Sequence, residues 1–400
     1  PIPNIRIDIF TDYPDNGGRK IMSGVTDVTG KFFTTFRFPD IYDSLVVSAH
    51  AVGFVNMQKV AIQNNLLSLT LGGSQSPSLK NGETGSFKSV NSVFYPLGTY
   101  NSSGVPTYLT PVNDVIDASM LADINSTLPE YISLPNNRPD YFGSNIENSL
   151  VMSGAGDVYV TFIHEGANYR NVLGFYSYPA NNPPASVNDI DSVKIIFPNA
   201  SFSGSGGGLA TGNRVFLGHF PPNTKIGWVL IADGFRNGNI TNGNWILYSD
   251  PQFNPEAQAS KKKHSVLLND VGRGRFILAF EDQRRDGTTD NDFNDAIFYV
   301  TVDPVQSVNP ANLPVAPYTQ TDTDGDGISD IFDDYPTDPT RAFNNYYPSQ
   351  NSVGSLAYED LWPAKGDYDF NDMVVDYNFN QVTNAQNHVV EIKAKLILKA

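Results

Sequence analysis

The sequence predicts a mostly β protein, built from tandem β-sandwich domains joined by one proline-rich and one acidic linker. Three observations carry that expectation. Glycine (33), proline (27), tyrosine (20) and phenylalanine (25) are abundant, while long Ala/Leu/Glu/Lys-rich stretches are scarce, a balance that favours short strands and turns over helices. Short apolar runs bounded by Asp, Gly, Asn and Pro recur along most of the chain. Four hundred residues also exceed what one hydrophobic core usually organises.

In chain order, residues 1–72 contain five strand-like runs, IRIDIF, KFFTTFRF, SLVVSAH, MQKVAI and LLSLTL, and their turn-punctuated spacing suits a small β-sandwich. Residues 73–111, beginning GSQSPSLKNGETGS, are rich in Ser, Gly and Pro and read as a linker. VNDVIDASMLADINSTLPE then predicts one scaffold helix, with Val115, Met120, Leu121 and Ile124 near helical spacing and Asn113 or Asp114 as its cap. Nine strand-like runs follow, DVYVTFIH, VLGFYSY, SVKIIFP, RVFLGHF, KIGWVLIADGF, WILYSD, HSVLLND, FILAFED and DAIFYVTV, so residues 112–303 form a second sandwich. Residues 304–320 carry four prolines and predict an extended linker, 321–341 are densely acidic, and 342–400 begin another β domain. The closing HVVEIKAKLILKA alternates like a strand without a partner after it, which predicts that this last domain is incomplete.

Charge and composition exclude several classes of function. With 42 acidic against 26 basic residues and a formal charge of -16, the chain repels phosphate backbones, and Lys261 to Lys263 is its single basic cluster, so nucleic acid is not an expected partner. Cysteine is absent, which removes disulfides, thiolate nucleophiles and cysteine-based zinc sites. No apolar run approaches the roughly 18 residues that span a bilayer as a helix. PIPNIRID has neither an initiator Met nor a signal-peptide pattern, so any targeting segment or lipid anchor is expected outside these residues.

The acidic segment TDTDGDGISDIFDDYPTDP places residues at the ligand positions of a twelve-residue calcium loop. Asp322 stands first, Asp324 third, Asp326 fifth, the carbonyl of Ile328 seventh, Asp330 ninth and Asp333 twelfth, with Gly327 at the sharp sixth position. Carboxylates this dense repel one another unless a cation neutralises them. Asp333 is shorter than the usual Glu, and Pro336 discourages a following helix.

A second motif occurs twice. FEDQRRDGTTDNDFNDAIF and YEDLWPAKGDYDFNDMVV both read aromatic-Glu-Asp, a polar loop, Asp-x-Asp-Phe-Asn-Asp and then a strand. In a fully extended strand Asp290, Asp292 and Asn294 would share a face about 7 Å apart, too far to clasp one ion. A chain that curls at a hairpin mouth would instead bring them, with Asp295, toward Glu281 or Asp282. The same logic serves Glu359, Asp360, Asp367, Asp369, Asn371 and Asp372. Oxygen-only ligands favour Ca2+ over zinc, copper or iron; the competing use of such residues is to cap and hydrogen-bond a polar turn.

Several resemblances attach to these residues. GVTDVTGKFFTTFRFP resembles a transthyretin-like or carboxypeptidase-regulatory-like sandwich, which implies a spacer or partner-contact module. The acidic segment resembles a thrombospondin type 3 repeat, and that likeness implies that Asp334 and Asp338 join a second, neighbouring ion. The paired DFND motifs with the intervening DTDGDGISD resemble LruC-domain-containing bacterial surface proteins, and the first motif also resembles a bacterial β-domain of unknown function found in extracellular proteins. These likenesses imply a secreted or outer-membrane-anchored location and supply no enzymatic activity. Asp43-Ser44-Leu45 and Asp191-Ser192-Val193 resemble a bacterial O-glycosylation sequon.

Catalytic signatures are sparse. His50, His164, His219, His264 and His388 stand singly beside strands, and only His164-Glu165 pairs a histidine with a carboxylate that could act as base or metal ligand. SGSGGGLATG lacks the Lys-Ser/Thr of a phosphate loop, and no G-x-S-x-G elbow occurs. The expected protein is therefore a non-enzymatic, calcium-stabilised structural or adhesive element of the bacterial surface, or a subunit of an outer-membrane assembly. Its partners would be calcium and other surface proteins or glycans. Two alternatives stand beside it: a calcium-dependent glycan-binding module using the tyrosines of PEYISLPNNRPDYFG and YRNVLGFYSYP, and a metal-dependent hydrolase built on Glu165.

Overall fold

The computed structural model describes residues 2, 4–35, 42–55, 57–64, 66–71, 94–166, 169–317, 322–328, 330, 333–360, 367, 369, 370 and 372–399. The protein is mostly β, with several sheets. The first four strands, β1 (Arg6–Phe10), β2 (Lys20–Val25), β3 (Ser44–Ala49) and β4 (Met57–Ala61), form one antiparallel sheet in the order β2-β1-β3-β4. KIMSGV, which has no marked alternation, becomes β2 because Met22 lies opposite Ile9 and both bury their side chains with Leu45. The described part of KFFTTFRF, residues 31–35, is not a strand, and Phe33 is exposed; 36–38 fall outside the described residues. LLSLTL likewise makes one isolated bridge, Gln63 to Leu66, instead of the expected strand. An apolar run becomes a strand only where a neighbouring backbone is free to pair with it.

The middle of the chain holds β5 (Phe94–Pro96), α1 (Ala118–Thr127), α2 (Leu134–Asn137), β6 (Leu150–Met152), β7 (Gly156–Glu165), β8 (Val172–Pro179), β9 (Val193–Phe197), β10 (Arg214–Phe220) and β11 (Thr224–Ala232). It continues with β12 (Phe235–Arg236), β13 (Asn239–Ile240), β14 (Trp245–Tyr248), β15 (Ser265–Asp270), β16 (Arg275–Phe280) and β17 (Ala296–Asp303). All nine strands expected between 157 and 302 are present. They make two sheets, β10-β7-β17-β16-β15 and β14-β11-β8-β9-β5 with β6 against β11. Phe162 and Phe298 from the first sheet meet Phe197, Phe175 and Trp228 from the second, and the Phe197 and Phe298 rings stack with centroids 5.9 Å apart.

Alternate residues of β7, β16 and β17 point away from that core. Ile163, Ile277, Ile297 and Tyr299 are covered on the outer face by Met120 and Ile124 of α1 and by Leu128, Leu134 and Tyr141. Burial on both faces explains why FILAF and AIFYV read as continuous apolar runs instead of alternating ones. Asp117 caps α1 by accepting the Met120 amide; Asn113 and Asp114 lie too early, because Asp114 is engaged by the Arg275 guanidinium, and Val115 precedes the helix and is exposed.

Two expected linkers are folded where they are described. Residues 94–111 include β5, which pairs in parallel with β9, and carry Tyr100 and Val105 into the core; 73–93 fall outside the described residues. The proline-rich segment packs on the sandwich through Val308, Leu313 and Ala316, since apolar residues between the prolines have a sheet edge to cover; 318–320 are not described.

The last strands are β18 (Phe343–Tyr347), β19 (Gly354–Tyr358), β20 (Met373–Thr383) and β21 (Val389–Lys399), with β20 paired to all three others. Ile392, Leu396 and Leu398 of β21 are exposed. The chain divides into two compact units: Pro1–Ala51, Asn56–Leu71 and Thr319–Ala400 form one, Val52–Val55 and Gly72–Tyr318 the other. The first and last domains, expected as separate, are thus a single unit. The Ser23 amide donates to Asn345 Oδ1 (2.7 Å), the Asn387 carboxamide exchanges two hydrogen bonds with the Val25 backbone, and Val25, Ile328, Ala342 and Phe343 bury one another.

Candidate metal centres

The first acidic hairpin connects β16 to β17. The last β16 residue, Phe280, pairs with the first of β17, Ala296, so Glu281 and Asp282 leave one strand beside the point where Asp295 enters the next. Between them the chain curls: Asn291 and Phe293 both adopt left-handed backbone, φ 60° and 62°, a conformation that costs a non-glycine residue roughly 1–2 kcal/mol. Its compensation is visible. The Phe293 ring is fully buried, edge-on to Phe142 at 5.1 Å and beneath the Arg285 guanidinium, and the Leu134 amide donates to the Asn291 carbonyl. With Phe293 as a plug, the flanking acids turn back toward the strand ends.

Carboxylate oxygens of Glu281, Asp290 and Asp292 come within 4.8 Å of one another, the separation that one hard cation with ligands at 2.3–2.6 Å would require. Asp292 is anchored by the Tyr131 amide (2.9 Å) and the Asn294 amide (3.2 Å), and Glu281 accepts the Thr289 hydroxyl. Asp282 accepts the Asn171 carboxamide (2.8 Å), while its own amide donates to Asp295 Oδ2 (2.8 Å). Glu281 Oε2 and Asp282 Oδ1, on side chains 1% and 0% exposed, have no hydrogen-bond partner. Asn294 turns its carboxamide toward the Leu128 carbonyl instead of joining the triad.

Burial, followed by like charge, moves these acids upward. Glu281 rises to about 7 through burial and the charge of Asp290, and Asp282 to about 7 through burial and the charges of Glu281, Asp290 and Asp233. Asp292 and Asp295 are raised well above the usual range for the same reasons, Asp290 less so. A group of buried acids that cannot all ionise alone is what a divalent cation converts into a stable assembly.

The second hairpin connects β19 to β20 and repeats the arrangement. Tyr358 pairs with Met373 as Phe280 does with Ala296, and Phe370 is left-handed at φ 53° as Phe293 is. Glu359, Asp367 and Asp369 make one triad within 4.8 Å, and Glu359, Asp360 and Asp372 make another. Asn371 lies outside the described residues. Burial raises Glu359, with Asp372, Asp367 and Asp360 adding to the shift.

In the acidic segment Asp322, Asp324 and Asp326 form the fourth triad. Left-handed Gly325 and Gly327 (φ 79° and 97°) let their amides donate to the two Asp322 oxygens. One oxygen each of Asp324, Asp326 and Asp333 accepts a backbone amide two residues on, whereas Asp324 Oδ2, Asp326 Oδ2 and Asp333 Oδ2 have no partner. Burial, with the charges of Asp326 and Asp324 adding to it, pushes Asp333 up to about 6. Ile328 anchors the loop through its buried side chain. Of the other expected ligands, Asp330 accepts the Thr323 amide and hydroxyl within the loop, Asp334 accepts the Asn344 amide, and Asp338 accepts from Arg341 and Thr340.

His164 and Glu165 at the end of β7 are both buried and hydrogen-bond to different partners. His164 accepts the Gly53 amide and burial pushes it down to about 3; Glu165 accepts the Phe202 amide and the Ser205 hydroxyl, and burial, with the charge of Asp282, raises it to about 8. Sequence reasoning missed Thr289, Asn171 and the Tyr131 amide around the first triad, and the charge of Glu130 beside Asp292. Thr289 lies within the motif and was open to discovery there; the others come from distant segments whose proximity only the fold creates.

The fold and its sites define a multidomain β protein with acidic hairpins at strand ends. Two family models match parts of it: a domain of unknown function (DUF4114) over residues 220–303, which includes the first acidic hairpin, and a domain of unknown function (DUF8469) over residues 1–71. No curated protein and no solved structure matches the chain.

Proposed function

We propose that the chain is a non-enzymatic, calcium-stabilised structural or adhesive element of a bacterial surface, related to LruC-domain proteins, with ions serving where other extracellular proteins use disulfides. The carrying observation is the convergence of Glu281, Asp290 and Asp292 within 4.8 Å, next to buried carboxylate oxygens that have no partner. Oxygen donors without histidine or cysteine suit Ca2+. Sites of roughly 0.1–1 mM affinity would fill outside a cell and stay empty inside one. Binding to the folded state alone stabilises by about 2.7 kcal/mol when the ion stands a hundredfold above its dissociation constant. Metal analysis of the purified chain, paired with melting in calcium and in chelator, tests the reading. Retained calcium and a lower melting temperature in chelator are expected; no bound metal and an unchanged melting temperature would refute it.

A second reading, a glycan-binding module, is favoured by a polar groove of about 410 Å³. Arg19, Lys20, Asp334, Tyr346, Gln350 and Asn351 are among its lining residues, a mixture of amides, charges of both signs and one aromatic that suits hydroxylated sugars better than apolar ligands. A glycan array would promote this reading if it gave hits that Tyr346→Ala and Arg19→Ala remove, and would dismiss it if the array stayed blank.

A further inference from the structure

We infer that each acidic hairpin holds a pair of divalent cations that share one glutamate, Glu281 in the first hairpin and Glu359 in the second. The inference rests on the calcium reading above and adds its stoichiometry. In the second hairpin Glu359 belongs to two separate triads, one with Asp367 and Asp369 and one with Asp360 and Asp372, each with oxygens within 4.8 Å. One ion of the calcium type, with ligands at 2.3–2.6 Å, fits inside one such triad. A carboxylate has two oxygens, so Glu359, the residue common to both triads, can bridge two ions.

In the first hairpin one triad meets that separation among the described residues, and the other half is represented by its equivalent residues, Asp282 and Asp295. Its Glu281, Asp290 and Asp292 triad corresponds to Glu359, Asp367 and Asp369. The other half is marked by a shared hydrogen bond: the Asp282 amide donates to Asp295 Oδ2 at 2.8 Å, as the Asp360 amide donates to Asp372 Oδ2 at 2.8 Å. The independent sign of a ligand is in the buried copy. Glu281 Oε2 and Asp282 Oδ1 lie on side chains 1% and 0% exposed and have no partner, a state that costs several kcal/mol for a charged group unless something occupies the space. One divalent ion in the Glu281, Asp290 and Asp292 triad would leave Asp282 and Asp295 beside each other with no cation of their own. A second ion between Glu281, Asp282 and Asp295 satisfies both orphaned oxygens and brings five carboxylates close to neutrality.

The test counts calcium on the full chain by native mass spectrometry and equilibrium dialysis. Asp360→Asn/Asp372→Asn alters exposed residues, so folding is safe, and it should lose one equivalent; Asp367→Asn/Asp369→Asn should lose a different one, and the two losses should add. In the buried copy Asp282→Asn and Asp290→Asn should behave likewise, with circular dichroism to confirm the fold. If either second-hairpin double variant removes the same single equivalent as the combination of both, the hairpin is mononuclear and the inference fails while the calcium reading stands. If the native chain binds no calcium, the reading itself fails.

Discussion

Chelation and rising pH should act on the same residues of the first hairpin, and their combined effect has a definite sign. Glu281 and Asp282 both stand at about 7 in the folded chain, against about 4 when unfolded. A folded value above the unfolded one means that the ion-free native state holds more protons between roughly pH 4 and pH 7. Its stability is therefore greatest below that window and falls as pH rises through it. A displacement of this size is worth on the order of 3 kcal/mol for one carboxyl. The two groups feel each other's charge, so their contributions overlap and roughly 4 kcal/mol is expected for the pair. At about 2–4 °C per kcal/mol for a unit of this size, chelated protein should melt roughly 10 °C lower at pH 8 than at pH 5. In saturating calcium the ions replace those protons, binding tightens as the carboxyls ionise, and the pH dependence should flatten or reverse. Differential scanning calorimetry across pH 5–8, with and without chelator, reads both curves. Chelated protein that is equally stable at both ends, or a calcium-induced shift that does not grow with pH, would refute the claim that these acids form one buried cation site.

Phe298→Ala should cost about 3–5 kcal/mol, because its ring stacks on Phe197 at the sandwich centre; urea denaturation measures it. Asn387→Ala removes two hydrogen bonds to the Val25 backbone and should destabilise its unit by about 1–3 kcal/mol while leaving the melting of the other unit unchanged. Asp333→Asn should weaken calcium binding by the acidic loop and increase its proteolysis in calcium, without altering the count at either hairpin.

The strands of the central sandwich were legible because each is a contiguous apolar run with turn residues at both ends. The failures have one cause. LLSLTL and the described residues 31–35 of KFFTTFRF have strand composition, but the sheet that would pair with them is completed by KIMSGV, whose Gly24 and Ser23 conceal it. Composition reports which backbone tolerates a strand, whereas pairing decides which becomes one. The linkers failed in a related way: proline content does predict extended chain at 304–317, yet Val308, Leu313 and Ala316 find apolar surface that a one-dimensional reading does not contain.

The acidic sites were legible as spacing, and the reason lies in how they are built. Many of the candidate ligands are placed by a local device within the motif: an Asx-type turn, a left-handed Gly or Phe, or a hairpin mouth. What spacing does not encode is depth. Phe293 is fully buried whereas Phe370, at the same place in the repeat, is 45% exposed, because α1, α2 and Phe142 cover the first hairpin. In the buried copy fewer waters compete for the ion and the local dielectric is lower, so each ion–carboxylate attraction is stronger, while the empty site suffers more from its own charge. Both effects drive occupancy in the same direction. The first hairpin should therefore release its calcium last in a chelator titration, and a Phe293→Ala chain, which removes the plug without touching a ligand, should lose that advantage. Equal release from the two hairpins in the native chain would mean that ligand identity alone, and not burial, sets their affinity.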